Sequence, residues 1–143
     1  MTSSRRLNPM QGDPVAVDFD RLAAFFRSDA NVACAIVFGS AANGTVAPGS
    51  DLDVAVLFRK PLAAGEATLR YYSSLCDAVP DVECVDFINL NQANPILAFE
   101  ALRGRICCKN DPDATAAYTS LVCREYEDIT GYLTYLRRQI TNQ

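Results

Sequence analysis

The stretch Phe38-Gly-Ser-Ala-Ala-Asn-Gly-Thr-Val-Ala-Pro-Gly-Ser-Asp-Leu-Asp-Val-Ala-Val-Leu-Phe58 decides how this chain is read. An apolar run, "VACAIVF" (32–38), stops at Gly39-Ser40, and ten residues rich in Gly and Pro follow. A second apolar run then opens with two aspartates one residue apart, Asp51 and Asp53. Short continuous runs with β-branched residues, bounded by turn residues, read as strands buried on both faces. Side chains alternate along a strand, so Asp51 and Asp53 share a side about 6–7 Å apart. Two like charges set side by side are unfavourable unless a cation is shared between them, and a divalent metal is the obvious candidate.

Outward from this stretch the chain alternates helix and strand. Before it, "VDFDRLAAFFRSD" places Phe19, Leu22, Ala23 and Phe26 at helical spacing with Asp18 as N-cap. After it, "AAGEATLRYYSSLCDAV" reads as an amphipathic helix halted near Pro80. "VECVDFINL" (82–90) reads as a third strand whose Asp86 shares a face with Cys84 and Ile88. Asn94-Pro95 opens a helix that ends at Gly104, "RICCK" reads as a short edge strand, and Asp111-Pro112 opens the last helix. There Tyr118, Val122, Tyr126, Ile129, Leu133, Leu136 and Ile140 recur every three or four residues, predicting one long helix over about 112–140, with a bend expected at Gly131. Its apolar stripe either wraps the domain's own core or extends towards a partner. The expected fold is α/β (α+β): a short mixed sheet packed against helices, forming one domain over 15–143 behind a flexible N-terminus, 1–14.

Composition narrows the function. The 143 residues are 50% hydrophobic and 21% charged, which suits an ordinary folded domain. A net charge of -4 disfavours direct nucleic-acid binding through phosphate contacts. No apolar run approaches the length of a membrane span, and "MTSSRRLNPMQGDP" lacks the apolar middle of a secretory signal, so no membrane association and a cytoplasmic location are expected. The six cysteines show no Cys-x-x-Cys pair and are expected to be small buried hydrophobes. Histidine is absent altogether, which removes His-based triads and general bases and leaves carboxylates as the chemical groups.

Carboxylates and a Gly-Ser turn suit phosphoryl or nucleotidyl transfer. Mg²⁺ takes oxygen ligands, usually one or two carboxylates plus substrate phosphates, and paired metals stabilise the attacking and leaving oxygens of an in-line displacement. Asp51 and Asp53 meet the first need, and Asp86 on a neighbouring strand supplies a third ligand and a base. Gly39 permits close backbone approach, while N–H groups and the Ser40 hydroxyl hydrogen-bond phosphate. A helix beginning just after Ser40 is expected to add its dipole.

These residues carry a resemblance. Gly39-Ser40, ten residues, then Asp51-x-Asp53 resembles the signature of the DNA polymerase β-like nucleotidyltransferase superfamily. From about residue 18 to residue 138 the chain is similar to the MntA-type minimal nucleotidyltransferase antitoxins of HEPN/MNT (type VII) toxin–antitoxin pairs. "VDFINLNQANPILAFEALRGRICCKNDPD" resembles that family's Val-Asp strand, its Asn-x-Ala-x-Pro turn, its helix and its "RGR" strand start. "REYEDITGYLTYLRRQ" resembles its C-terminal helix. The resemblance implies an enzyme that transfers AMP from ATP, with Mg²⁺ (two ions), to a tyrosine hydroxyl of a cognate HEPN ribonuclease toxin. It implies metal binding and catalysis by Asp51, Asp53 and Asp86, nucleotide binding by Gly39 and Ser40, and orientation of Asp51 by Ser50. Asn89 stands where an additional acid is common. One departure is Ala41-Ala42, where family members often place an arginine; Arg59, Lys60, Arg70, Arg103 and Arg105 are the substitutes the sequence offers. Two other readings compete: a non-catalytic antitoxin that neutralises by binding, and a nucleotidyltransferase acting on a small-molecule hydroxyl such as an antibiotic.

Overall fold

The structure, a computed structural model, describes residues 12–142; most of the N-terminal segment expected to be flexible, 1–11, lies outside the described residues. Strand β1 (Val15–Ala16) leads into helix α1 (Phe19–Arg27), then β2 (Val32–Phe38), a 3-10 turn (Gly39–Asn43), β3 (Thr45–Val46) and β4 (Leu52–Phe58). Helix α2 (Glu66–Ala78), β5 (Val85–Asn89), α3 (Pro95–Leu102), β6 (Arg105–Lys109) and α4 (Pro112–Thr141) complete it. The main sheet has the order β5-β4-β2-β6, with β4 and β5 parallel and the other pairs antiparallel. It is the expected small mixed sheet with helices on its faces.

Helix starts follow their caps. Asp18 accepts from the Arg21 N–H, Asn94 from Leu97 and Asp111 from Ala114, each at about 3 Å, and Pro95 and Pro112 occupy first-turn positions that need no N–H donor. Every residue of β2 is buried, so its side chains divide between two cores. One holds Leu22 and Phe26 of α1 and Leu75 of α2 against Val37, Val54 and Val56. The other holds Ala98 and Ala101 of α3 and Val122 of α4 against Ile36, Phe38, Ala55 and Leu57. Burying each large side chain contributes roughly 1.5–3 kcal/mol, which is why the two central strands dominate the fold.

Asparagine side chains hold the ends of the sheet together. Asn91 accepts from Phe58 N–H at 2.8 Å and donates to Phe58 C=O at 2.9 Å. Asn31 does the same for Lys60 at 2.9 and 3.0 Å. Each mimics a strand neighbour where β4 leaves the sheet, satisfying backbone groups that would otherwise be unpaired.

Several expectations are corrected. The third strand starts at Val85, leaving Cys84 outside it. The short pair β1-β3, with Val15 opposite Val46, was not anticipated, because two-residue strands carry no periodicity. Of the six cysteines only Cys34 and Cys108 are buried, and Cys84 is exposed. The stripe on α4 divides: Val122 is buried and Tyr126 stacks on Phe99 at 3.8 Å, whereas Leu133 and Ile140 are 53% and 74% exposed and so do not wrap this core. Among the described residues no helix is long and apolar enough to cross a membrane.

Candidate active site

The antiparallel register of β2 and β4 sets Phe38 opposite Asp53, so the chain leaving β2 at Gly39 turns directly beside that aspartate. Gly39 has φ +70°, the left-handed region that other residues enter at a cost. A Cβ there would lie 2.5 Å from Asp53 Oδ2. Glycine is therefore required twice, for the turn and for the carboxylate packed against its backbone.

On the other side of β4, the parallel register sets Asp53 opposite Asp86. Leu52 N–H donates to Cys84 C=O at 2.9 Å, fixing that register at the strand's first residue. Asp53 and Asp86 lie on the α3–α4 face of the sheet, since Ala55 and Leu57, two and four residues on from Asp53, pack there. Partial burial, then the charge of Asp86, then that of Asp51, pushes the Asp53 carboxyl above its usual range, and Asp86 is close enough to hydrogen-bond with it. Asp51 and Asp86 are exposed, Asp53 half-buried. Among the described residues no three His, Cys, Asp or Glu side chains close into a metal-holding cluster. The acids are instead a close pair with Asp51 alongside. That arrangement fits Mg²⁺: the donors are hard oxygens, their mutual repulsion is relieved by a cation, and the incomplete set leaves coordination positions for phosphate oxygens.

Gly39 and Ser40 are both exposed at the mouth of this site, and Ser50 is half-buried within the turn closed by its N–H to Ala47 C=O at 3.0 Å. The helix expected after Ser40 is a five-residue 3-10 turn beginning at Gly39 itself. It presents backbone N–H groups but is too short to carry the dipole of a full α-helix.

Two contributors escaped the sequence reading. Tyr72 of α2 donates to Val85 C=O at 2.9 Å, anchoring the residue before Asp86 on the sheet's edge strand; nothing in the periodicity of α2 marks it. Gly104, read only as a helix end, packs so closely on β2 that a Cβ would collide with Val37 O and with Phe38. It thereby brings the start of β6 against the residues leading into the Gly-Ser turn.

A Gly-Ser turn set against paired carboxylates on a small mixed sheet is the architecture of a nucleotidyltransferase. The family model described as polymerase beta nucleotidyltransferase matches residues 20–113, and the chain belongs to that family. No curated protein matches its sequence. Among solved structures, a mutant form of the MntA-HpeT toxin–antitoxin is similar with a TM-score of 0.71 at 16% identity, covering 87% of this chain and 99% of that one. A toxin–antitoxin with AMP-PNP gives 0.70 at 17% identity over 87% and 99%. A tri-AMPylated Shewanella oneidensis HEPN toxin in complex with MNT antitoxin gives 0.64 at 15% identity over 86% and 95%. At these identities the likeness establishes a shared fold.

Proposed function

We propose that this nucleotidyltransferase is an antitoxin that transfers AMP from ATP to a tyrosine hydroxyl of a cognate HEPN-type ribonuclease toxin and so silences it. The observation that carries the reading is the convergence of Gly39, Asp53 and Asp86 through two strand registers, one antiparallel and one parallel. The solved relatives support the choice of substrates: one holds AMP-PNP and another contains a tri-AMPylated HEPN toxin.

The residues divide the work. Gly39 and Ser40 present N–H and hydroxyl donors to the triphosphate, and Ser50 orients Asp51. Asp51, Asp53 and Asp86 would hold Mg²⁺, which when bound supplies charge neutralisation and Lewis-acid polarisation at the phosphates. Asp86 is exposed at the rim, where it can accept the proton of an incoming tyrosine. The tyrosine oxygen forms a bond to the α-phosphorus as the bond to the β-phosphate oxygen breaks, and pyrophosphate leaves. The acidic chain has no need of nucleic acid as a ligand, and a protein partner and ATP suffice.

Incubation of the protein with ATP, Mg²⁺ and the HEPN-type toxin encoded beside it tests the proposal. AMP-sized mass increments on a tyrosine peptide of the toxin are expected; an unmodified toxin that is nevertheless inactive in the complex would favour neutralisation by binding alone. The exposed apolar end of α4 is the feature that favours this second reading. Replacing Asp51 and Asp53 by Asn separates the two, because protection that survives the double substitution requires no chemistry.

A further inference from the structure

The apolar stripe of α4 is longer than the domain can cover. From Tyr118 to Ile140 it recurs every three or four residues, about 33 Å of helix. Helix α3, which meets it in the stack of Phe99 on Tyr126, has eight residues and spans only about 12 Å. Cover therefore ends near Ile129, and Leu133, Leu136 and Ile140 are exposed with Tyr132 beside them. At this boundary a groove of about 510 Å³ opens between the two helices, its lining including Asn94, Pro95, Ile96, Phe99, Tyr126 and Ile129.

Ile129, Leu133, Leu136 and Ile140 are spaced by four, three and four residues, the seam of a two-helix coil. The charges beside that seam are polarised. Glu125, Glu127 and Asp128 make the turn at the groove acidic, outweighing Arg124, whereas the turns after it carry Arg137 and Arg138 and no acid; all of these side chains are exposed. Asp128, the nearest acid before them on the helix, lies about 14 Å from Arg137 along the axis. Among the described residues neither arginine pairs with a carboxylate. A second α4 laid antiparallel brings the basic end of each helix to the acidic turn of the other, while a parallel one sets like charges together. A two-fold contact needs that self-complementarity, residue i meeting j and j meeting i.

We infer that a second copy of this chain covers this surface: two α4 helices pair antiparallel, Leu136 and Ile140 of each entering the α3–α4 groove of the other, with Arg137 and Arg138 approaching Glu127 and Asp128. A toxin is the other candidate cover for this end of α4, but the chain itself carries both halves of a pairing. The inference does not depend on the nucleotidyltransferase reading.

Sedimentation velocity of the full-length protein alone, at micromolar concentrations, tests it. The parent should sediment as a dimer and Leu136→Glu as a monomer. Two charge-reversed forms are compared with it, Arg137→Glu with Arg138→Glu and Glu127→Lys with Asp128→Lys. Each alone should associate at least about tenfold more weakly, the scale of one close charge pair across an interface. Mixed in equal amounts, they should recover a dimer holding one of each. The reversed positions are exposed, so the mixture serves even if Leu136→Glu misfolds. A monomeric parent overturns the inference, as does a dimer that survives both reversals or a mixture that stays monomeric. Loss of toxin binding in Leu136→Glu alongside a monomeric parent assigns the surface to the toxin instead.

Discussion

Asp53 and Asp86 face one another across the parallel pair β4–β5, where partial burial and then the charge of Asp86 push the Asp53 carboxyl above its usual range. Like charges brought together where the fold gains nothing from it accord with the metal-binding role proposed for the pair. Replacing Asp53 by Asn should therefore abolish AMP transfer by about a hundredfold or more, the scale lost when a charge-stabilising group is removed from a site. The melting temperature should stay level or rise, because repulsion is relieved. Parallel transfer assays and thermal melts check both halves, and a coincident loss of stability would indicate a structural role instead.

Gly39→Ala has a different signature. Left-handed backbone costs a non-glycine residue about 1–2 kcal/mol, and the added methyl displaces the Asp53 carboxylate. The variant should fold with a lowered melting temperature and show no transfer. Gly44→Ala provides the contrast: its φ is +110° but a Cβ there meets nothing within 4 Å, so it should cost stability while sparing most activity.

Asn91→Ala should destabilise by about 1–3 kcal/mol, the cost of leaving buried backbone partners unsatisfied, since both backbone groups of Phe58 depend on that one side chain. Denaturant unfolding measures it. Asn91→Asp should not rescue, because a carboxylate accepts from Phe58 N–H but cannot donate to its C=O.

Burial, then the charges of Cys34 and Glu125, pushes the Tyr118 phenol up to about 12; its hydroxyl donates to Leu90 C=O at 2.8 Å. A pKa raised on folding gives stability that is complete below the unfolded value of 10.0 and is lost as pH rises through about 12. The urea midpoint should therefore decline across that interval. Tyr118→Phe should lower the midpoint at neutral pH by the worth of one hydrogen bond, about 1 kcal/mol, and flatten the alkaline decline without removing it, because burial raises Tyr71 as well.

Much of this fold was legible because its signals are local. Caps at Asp18, Asn94 and Asp111 and the continuous apolar runs of β2 and β4 each rest on neighbouring residues. What escaped depends on contacts between distant parts of the chain. Asn91 reaching Phe58 and Tyr72 reaching Val85 are separated by 33 and 13 residues, and no spacing rule announces them. The same limit applies at the site. The aspartates of one strand could be read from alternation along it, but the pairing of Asp53 with Asp86 and the close packing of Gly104 on β2 needed the sheet registers.

The central claim, that Asp51, Asp53 and Asp86 together hold a magnesium-bound nucleotide beside the Gly-Ser turn, is tested most directly by equilibrium titration with AMP-PNP in the presence and absence of Mg²⁺. Saturable binding that requires the metal and disappears in Asp53→Asn is predicted. Equal binding without Mg²⁺, or no binding with it, would contradict the account.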